Sequence, residues 1–566
     1  MKLKPLWESP KGRLKKSSLL KFLDEINRSS HVSLHDYRSL HEWSTNNWAE
    51  FWQACSRFVG LYWIKPPAKD SIYRWKSSLT FNQKQTPEQH MTDIEWFPDG
   101  QLNYTENVLA EAKELKQAVV SIVEGEVTGR ISGDELADLV ACWQSYLEQQ
   151  GVKKGDRVAG FMSNGTEALV AFLAAASLGA IWSSCSPDFG EQAILDRFSQ
   201  IEPKVLFYTS QYCYNSKVFD CEEKISQCLK NLPSVKAAVG SQTWSEVTGR
   251  YKRDRKAKLH FEPMSFDDPL YILFSSGTTG KPKCIVHAHG RALLQHKKEM
   301  ILHCDTKPKD KLFYYTTCGW MMWNWMVSAL ACGVTIVLYD GSPSAAQPDL
   351  LWQTLEQEQI HIFGTSPRYL HYCEQQHLIP GKKYTLTNLK TLLSAGSPLS
   401  AEQFEWVYQN VKPDLHLASI SGGTDIVSCF VLGNLMTPVY PGVIQGPGLG
   451  MAVEAWDENG QHVFDKKAEL VCTKRFISMP VGFWNDPEKK LYKAAYFSKF
   501  PDVWCHGDFV INTIHNGFVI LGRSDAILNP GGVRIGTAEL YRVVERLDWV
   551  ADSVAVTQTH GGDVRI

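Results

Sequence analysis

The run ALVAFLAAASLGAIW at residues 168–182 narrows what this chain can become more than any other segment. It carries no charge, as a membrane span would, but Ser177 and Gly179 interrupt it. It also falls short of the roughly 20 apolar residues that cross a bilayer. It divides better into a helix through Leu178, Gly179 just past the helix end, and a strand AIWSSC. The same order returns in VSALACGVTIVLYD at 327–340. Around these units AVVSIVEG (118–125), DRVAGFMSN (156–164) and KVLFYTS (204–210) read as strands, and 133–150 and 167–178 as helices. Strands alternating with helices predict an α/β fold. The expected architecture is a large N-terminal domain of layered, largely parallel β-sheets with flanking helices, followed by a small, incomplete α+β C-terminal domain.

A chain of 566 residues exceeds one ordinary core. We expect a helical extension over 1–115, a main domain over 116–524 and the start of a small domain over 525–566. In the extension, Asn47 and Glu50 have the spacing of a capping box, opening a helix with Trp48, Phe51, Trp52, Cys55 and Phe58 on one side. An aromatic stripe at that spacing is a packing face. The 59 basic and 61 acidic side chains leave a net charge of −2. No global field therefore recruits nucleic acid or a membrane, and no basic–aromatic module stands out. The basic stretch YKRDRKAK (251–258) reads as a solvated loop. Fourteen cysteines include no Cys-x-x-Cys pair, which suits buried thiols in a reducing compartment. The N-terminus is basic but has no apolar h-region, so the expected location is the cytosol, with no membrane span. Oligomeric state is not legible.

Chemistry concentrates first at SSGTTGKPK (275–283). This is not a Walker loop: only Thr278 and Thr279 separate Gly277 from Gly280, and Pro282 follows Lys281 where a magnesium-binding hydroxyl should stand. YILF (271–274) and CIVHAHG (284–290) read as strands, so the segment between them is a loop. Its glycines permit an anion-binding nest, to which Ser275, Ser276, Thr278 and Thr279 add donors and Lys281 and Lys283 add charge. A plain hairpin turn accounts for Gly and Pro but not for four hydroxyls and two lysines.

Further segments follow in a fixed order: SAGSPL (394–399), SGGTDI (421–426), PVGFWNDP (480–487), HGD (506–508) and GRSDAILNPGGVRIGTAELYRVVE (522–545). Together with the glycine loop they resemble the adenylate-forming superfamily of acyl-CoA synthetases, luciferases and peptide-synthetase adenylation domains, over roughly residues 90–566. WFPDGQLNYTENVL (96–109), TTCGWMMWNWM (316–326) and SISGGTDIV (419–427) are most similar to its short-chain branch, and within that to acetoacetate-activating ligases.

The resemblance implies ligation of acetoacetate to coenzyme A through an acyl-adenylate, with ATP and Mg2+, releasing pyrophosphate and AMP. Such a ligase would bring ketone-body carbon into lipid synthesis. It implies that Ser275, Ser276, Gly277, Thr278, Thr279, Gly280 and Lys281, with Lys283, hold the ATP phosphates. Thr424 would meet the α-phosphate and Asp425 the magnesium ion, Asp standing where the family usually has Glu. Gly396, Ser397 and Pro398, with Ser419, Ile420 and Ser421, would line the adenine. Asp508 would accept the ribose hydroxyls and Arg523 would support ribose or phosphate. Asp525 falls at the hinge, and Gly531, Gly532 and Arg534 along the path of CoA. Lys217 is either a CoA-phosphate contact or a surface lysine. Trp320, Met321, Met322, Trp323 and Trp325 would line the acyl pocket together with Gly422 and Gly423. Acetate-activating relatives carry a tryptophan at the place of Gly422, so its absence predicts a larger acyl group, such as acetoacetate or butyrate.

After Asp525 only 566 − 525 = 41 residues follow, and no lysine comes after Lys499. The lysine that the family uses in adenylation has no counterpart here. The expected consequence is a slow first half-reaction, by ~10²–10³ for one lost preorganised donor. Two alternatives accompany this expectation. One is a nucleotide- or acyl-binding form without turnover. The other is an adenylation module that loads a carrier protein, against which the synthetase-like WFPDGQLNY argues.

Overall fold

The computed structural model describes residues 4–68, 71–75, 91–254, 258–275 and 281–525. Beyond these it describes residues 527–528, 535–536, 540, 544, 550, 555–560 and 563–566. Two seven-stranded sheets dominate. The first runs Ala237–Val239, Val205–Tyr208, Arg157–Phe161, Ile181–Cys185, Pro269–Ser275, Lys283–Ala288, Gly482–Phe483 in spatial order. It is parallel through Pro269–Ser275 and antiparallel beyond. The second runs His416–Ser419, Thr391–Ser394, Ile362–Thr365, Lys311–Tyr314, Thr335–Asp340, Val119–Val123, Glu126–Ile131. Only its last pair is antiparallel. An antiparallel four-stranded sheet of Val453–Trp456, Lys467–Cys472, Trp504–Asn512 and Phe518–Arg523 completes the frame.

The uncharged 168–182 run supplies the inner helix, Thr166–Ser177, which is buried from Ala168 to Ser177. Its N-terminal Thr166 hydroxyl meets Ser121 of the second sheet at 2.8 Å. The helix end contacts both Arg157–Phe161 and Ile181–Cys185 of the first. Gly179 takes φ +68, the left-handed value that turns the chain back into the strand Ile181–Cys185. Gly333 does the same at φ +66 ahead of Thr335–Asp340. Full apolarity therefore reflects burial between protein layers. Among the described residues no helix is long and apolar enough to cross a membrane.

Two local expectations need correction. Asn47 is the N-cap of Trp48–Phe58 but makes no capping bond. Its amide instead donates to the Trp43 carbonyl at 3.2 Å, and Glu50 accepts from Ser30 at 2.6 Å. The preceding helix, Tyr37–Asn46, ends directly against Asn47, so the cap amide serves that helix's last carbonyls. The YKRDRKAK stretch begins as helix, since Ser241–Asp254 extends into it; residues 255–257 lie outside the described set. The first hundred residues pack on the main body: Phe22, Trp52 and Trp96 share one core cluster with Leu169, Leu293 and Leu330. All fourteen cysteines are free thiols, and all but Cys213 are buried.

Candidate active site

The parallel strands end at one crevice. Ser275 closes Pro269–Ser275, Cys185 closes Ile181–Cys185, and Ser419 closes His416–Ser419. Beyond the carboxyl ends of α/β strands the chain leaves its hydrogen-bonded ladder, so polar groups collect there. The crevice encloses a cavity of about 510 Å³, within the range of small-molecule sites.

Sequence-distant residues meet at this cavity. Gly396, Ser397 and Pro398 line it together with Ser419, Ile420 and Ser421. Ser394 carries its strand to a hydrogen bond with Ile420, 2.9 Å from the Ile420 amide to the Ser394 carbonyl, so both loops leave adjacent strands together. Thr424 lines the cavity. Next to it, the buried Asp425 carboxylate accepts from Lys283 Nζ at 3.1 Å and from the Tyr496 hydroxyl at 2.6 Å. The Lys283 ammonium also stands 5.1 Å from the centre of the Tyr496 ring. His287, two strand positions beyond Cys284–Ile285, donates from Nε2 to the Thr424 carbonyl at 2.9 Å. Burial pushes this imidazole down to about 3, so it is a neutral donor that fixes the Thr424–Asp425 backbone.

Asp508 and Arg523 line the cavity from the third sheet, where they sit directly opposite one another on paired strands. Arg523 Nη1 donates to Asp508 Oδ1 at 3.0 Å, while Nε donates to Asp525 Oδ1 at 3.0 Å and Nη2 to Asp525 Oδ2. Burial alone would weaken the guanidinium charge, but the two carboxylates outweigh it and raise its pKa. The hinge-position Asp525 is thereby tied to the ribose-position Asp508 through one arginine.

Ser275 is 5% exposed and its hydroxyl has no hydrogen-bond partner among the described residues. It lines the cavity as an orphan donor at the start of the glycine loop. Ser276, Gly277, Thr278, Thr279 and Gly280 lie outside the described residues, as do Gly531, Gly532 and Arg534. Lys281 is exposed, and Lys217 stands exposed on the Lys217–Asp220 strand.

Of the residues expected at the acyl group, Trp320, Met321, Met322, Gly422 and Gly423 line the cavity. Trp323 does not: it is fully buried and donates Nε1 to Asn164 at 3.0 Å. Trp325 likewise points inward and donates to Glu299 at 2.8 Å. Both lie on the helix Met321–Val327, where Trp323 falls on a different face from Met321 and Met322, while Trp325 follows Met321 one turn further along and is held there by Glu299. Gly422 also departs from expectation. A Cβ there would fall 2.0 Å from the Ser428 carbonyl oxygen and 2.6 Å from Cys429 Cα on the paired strand. In this chain the glycine admits the neighbouring backbone, and its missing side chain does not translate into acyl volume.

Tyr496, His287 and Arg197 were not singled out in the sequence. Tyr496 lies 71 positions from Asp425, and no local pattern announces that contact. His287 stood inside the quoted strand CIVHAHG, where an inward-facing histidine among apolar residues was the available signal.

The chain's sequence and fold match known proteins along nearly its whole length. The AMP-binding enzyme family model matches residues 109–479, and a model described as the acetyl-coenzyme A synthetase N-terminus matches residues 37–108. An acetoacetyl-coenzyme A synthetase of Rhizobium meliloti (strain 1021) is 45% identical, over 100% of this chain and 86% of that protein. The acetoacetyl-CoA synthetase of Gallus gallus is 41% identical, over 99% of this chain and 84% of its own. Among solved structures, the acetoacetyl-CoA synthetase from Streptomyces lividans superposes with a TM-score of 0.85 at 35% identity. That superposition covers 97% of this chain and 84% of the other.

Proposed function

This chain belongs to the acetoacetyl-CoA synthetases of the AMP-binding enzyme family, AMP-forming acid–thiol ligases, and from that membership we propose the reaction its own residues serve. Acetoacetate attacks the α-phosphorus of ATP through a carboxylate oxygen, and the bond to pyrophosphate breaks. The CoA thiol then attacks the acyl carbon of the adenylate, forming the thioester and releasing AMP. The carbon delivered is ketone-body carbon for lipid synthesis in the cytosol.

The observation that supports these roles best is the convergence of Thr424, Ser275, Asp508 and Arg523 on one cavity from two separate sheets and the turn that follows Gly423. Thr424 donates to the α-phosphate, with its backbone held by neutral His287. Lys283 and Ser275 face the β- and γ-phosphates, and Asp508 accepts from the ribose. Gly396, Ser397 and Pro398 flank the base, and Met321 and Met322 flank the acyl group. Charge placed in advance around a developing pyrophosphate lowers the barrier without a protein nucleophile. Asp425 is the carboxylate that would hold magnesium together with substrate phosphates, exchanging its present Lys283 ammonium for the ion. Among the described residues no cluster of three or more His, Cys, Asp or Glu forms a closed metal cage. When bound, the ion would neutralise phosphate charge. Asp525 serves as the hinge between the main domain, 116–524, and the residues after it.

The test is acetoacetate-dependent pyrophosphate release with ATP and magnesium, trapping the adenylate as its hydroxamate, followed by transfer to free CoA. Release with acetoacetate above that with acetate or butyrate, and transfer to CoA in preference to a carrier protein, is expected. Equal rates with all three acids would refute the substrate.

A further inference from the structure

We propose that Arg197 is a diphosphate-binding residue of this site, supplying a guanidinium to the β,γ-diphosphate of ATP and to the departing pyrophosphate. The proposal rests on the adenylating function above but is carried by separate observations. Arg197 is half-buried on the helix Glu191–Ile201 and lines the same cavity as Ser275. Its guanidinium stacks 5.0 Å from the Phe189 ring and 5.9 Å from that of Phe274, the residue just before Ser275. One helical turn later, Gln200 Nε2 donates to the Pro282 carbonyl at 3.2 Å. This helix face therefore touches both ends of the segment between the strands Pro269–Ser275 and Lys283–Ala288.

Among the described residues the Arg197 guanidinium meets two aromatic rings and one backbone carbonyl. Of five N–H donors on a guanidinium, Nη1 donates to the Ala193 carbonyl at 2.8 Å. Arg197 forms no ion pair among the described residues, although Asp188 lines the same cavity. Two aromatic faces fix the plane of the fork while leaving its edge for an acceptor. The orphan hydroxyl of Ser275, 5% exposed, opens on the same cavity. A planar fork with no carboxylate partner among the described residues, on the same cavity as a buried donor without one, matches the several oxygens of a diphosphate, which an arginine engages through two parallel bonds. CoA also carries a diphosphate. ATP is favoured because the aromatic support and the orphan hydroxyl are consecutive residues, 274 and 275, on the strand that enters the cavity.

The experiment titrates magnesium pyrophosphate and, separately, CoA into the full chain, its Arg197→Met form and its Arg197→Lys form by calorimetry. Acetoacetate-dependent ATP–pyrophosphate exchange is measured on the same three proteins. Loss of one charged hydrogen-bonding partner is expected to weaken pyrophosphate by about tenfold or more in Arg197→Met, with Arg197→Lys in between. KM for ATP in exchange should rise by a similar factor while kcat and CoA affinity hold, a split that a general packing defect would not produce. Pyrophosphate affinity equal in all three proteins, or absent in the unsubstituted chain, overturns the proposal. So does a loss confined to CoA, which would move Arg197 to the thiol substrate. If pyrophosphate binding depends on residue 197 but exchange ignores acetoacetate, the substrate assignment fails and the role of Arg197 stands.

Discussion

At the scale of single residues, the site is an arrangement of paired charges with a ligand-sized space between them. Asp508 and Arg523 form a 3.0 Å ion pair at the cavity wall, and Asp525 holds the other side of the guanidinium. Asp508→Ala should weaken ATP binding by about tenfold, the scale of a lost charged acceptor. The fold should persist, because Asp525 keeps Arg523 paired. Calorimetric titration of ATP checks this, and an unaltered affinity removes Asp508 from the ribose. Gly422 carries the opposite kind of prediction. Its Cβ would collide with main-chain atoms, which cannot swing aside as a side chain can. Gly422→Ala should therefore lower the thermal midpoint and acetoacetate turnover together, and Gly422→Trp should do the same more severely without converting the enzyme to acetate. A folded Gly422→Trp protein that prefers acetate would show that the paired strands can separate.

At the scale of elements, one helix holds the segment after Thr424 and Asp425 in place. His289–Lys298 continues into a π-helical turn, Glu299–His303, a widening often found where side chains serve a site. His296 Nε2 donates to the Val427 carbonyl at 2.6 Å, while buried Glu299 accepts from the Ser428 hydroxyl at 2.6 Å and the Cys429 amide at 3.2 Å. Val427 adopts φ +46, a left-handed conformation that a β-branched residue reaches only under constraint. The helix thus supplies the bonds that keep a strained residue two positions from Asp425. His296→Ala should cost about 1–3 kcal/mol by orphaning a buried carbonyl. Exchange kcat should fall more than KM for ATP, since Asp425 loses its backing rather than its ligand contacts. Urea denaturation and exchange kinetics measure the two effects. A variant with unchanged kcat would mean that Val427 holds its conformation without this bond.

At the scale of the whole molecule, histidine burial sets the response to acid. Burial lowers His41 to about 4 and His287, His289 and His416 to about 3, from an ordinary 6.5. Between these values the unfolded chain takes up protons that the folded chain refuses. The resulting stability is complete above about pH 6.5 and is lost progressively as pH falls towards 4 and then 3, at up to ~1.4 kcal/mol per pH unit for each histidine. The calorimetric midpoint should fall steadily from pH 7 to pH 5. A midpoint flat over that range would mean that these imidazoles titrate normally in the fold.

The α/β grammar, the parallel sheets, the two left-handed glycines and the order of the site motifs were legible in the sequence. They depend on periodicity and on residues such as Gly179, whose local conformational freedom leaves a mark in the chain itself. So was the gathering of Thr424, Asp508 and the 396–398 loop, through resemblance to adenylate-forming enzymes. What the sequence left open involves direction and distance. Trp323 and Trp325 stand in the motif beside Met321 and Met322, but Trp323 turns to another helix face and meets Asn164, and Trp325 lies a turn beyond Met321 against buried Glu299. Gly422 suggested empty space, whereas only the paired strand reveals a backbone 2.0 Å from its absent Cβ. Tyr496 at Asp425, and Arg197 held at the cavity by Phe189 and Phe274, exist as site features only because separate elements converge there. Local patterns fix which elements form; the packing of elements far apart in the chain decides which side chains meet a substrate.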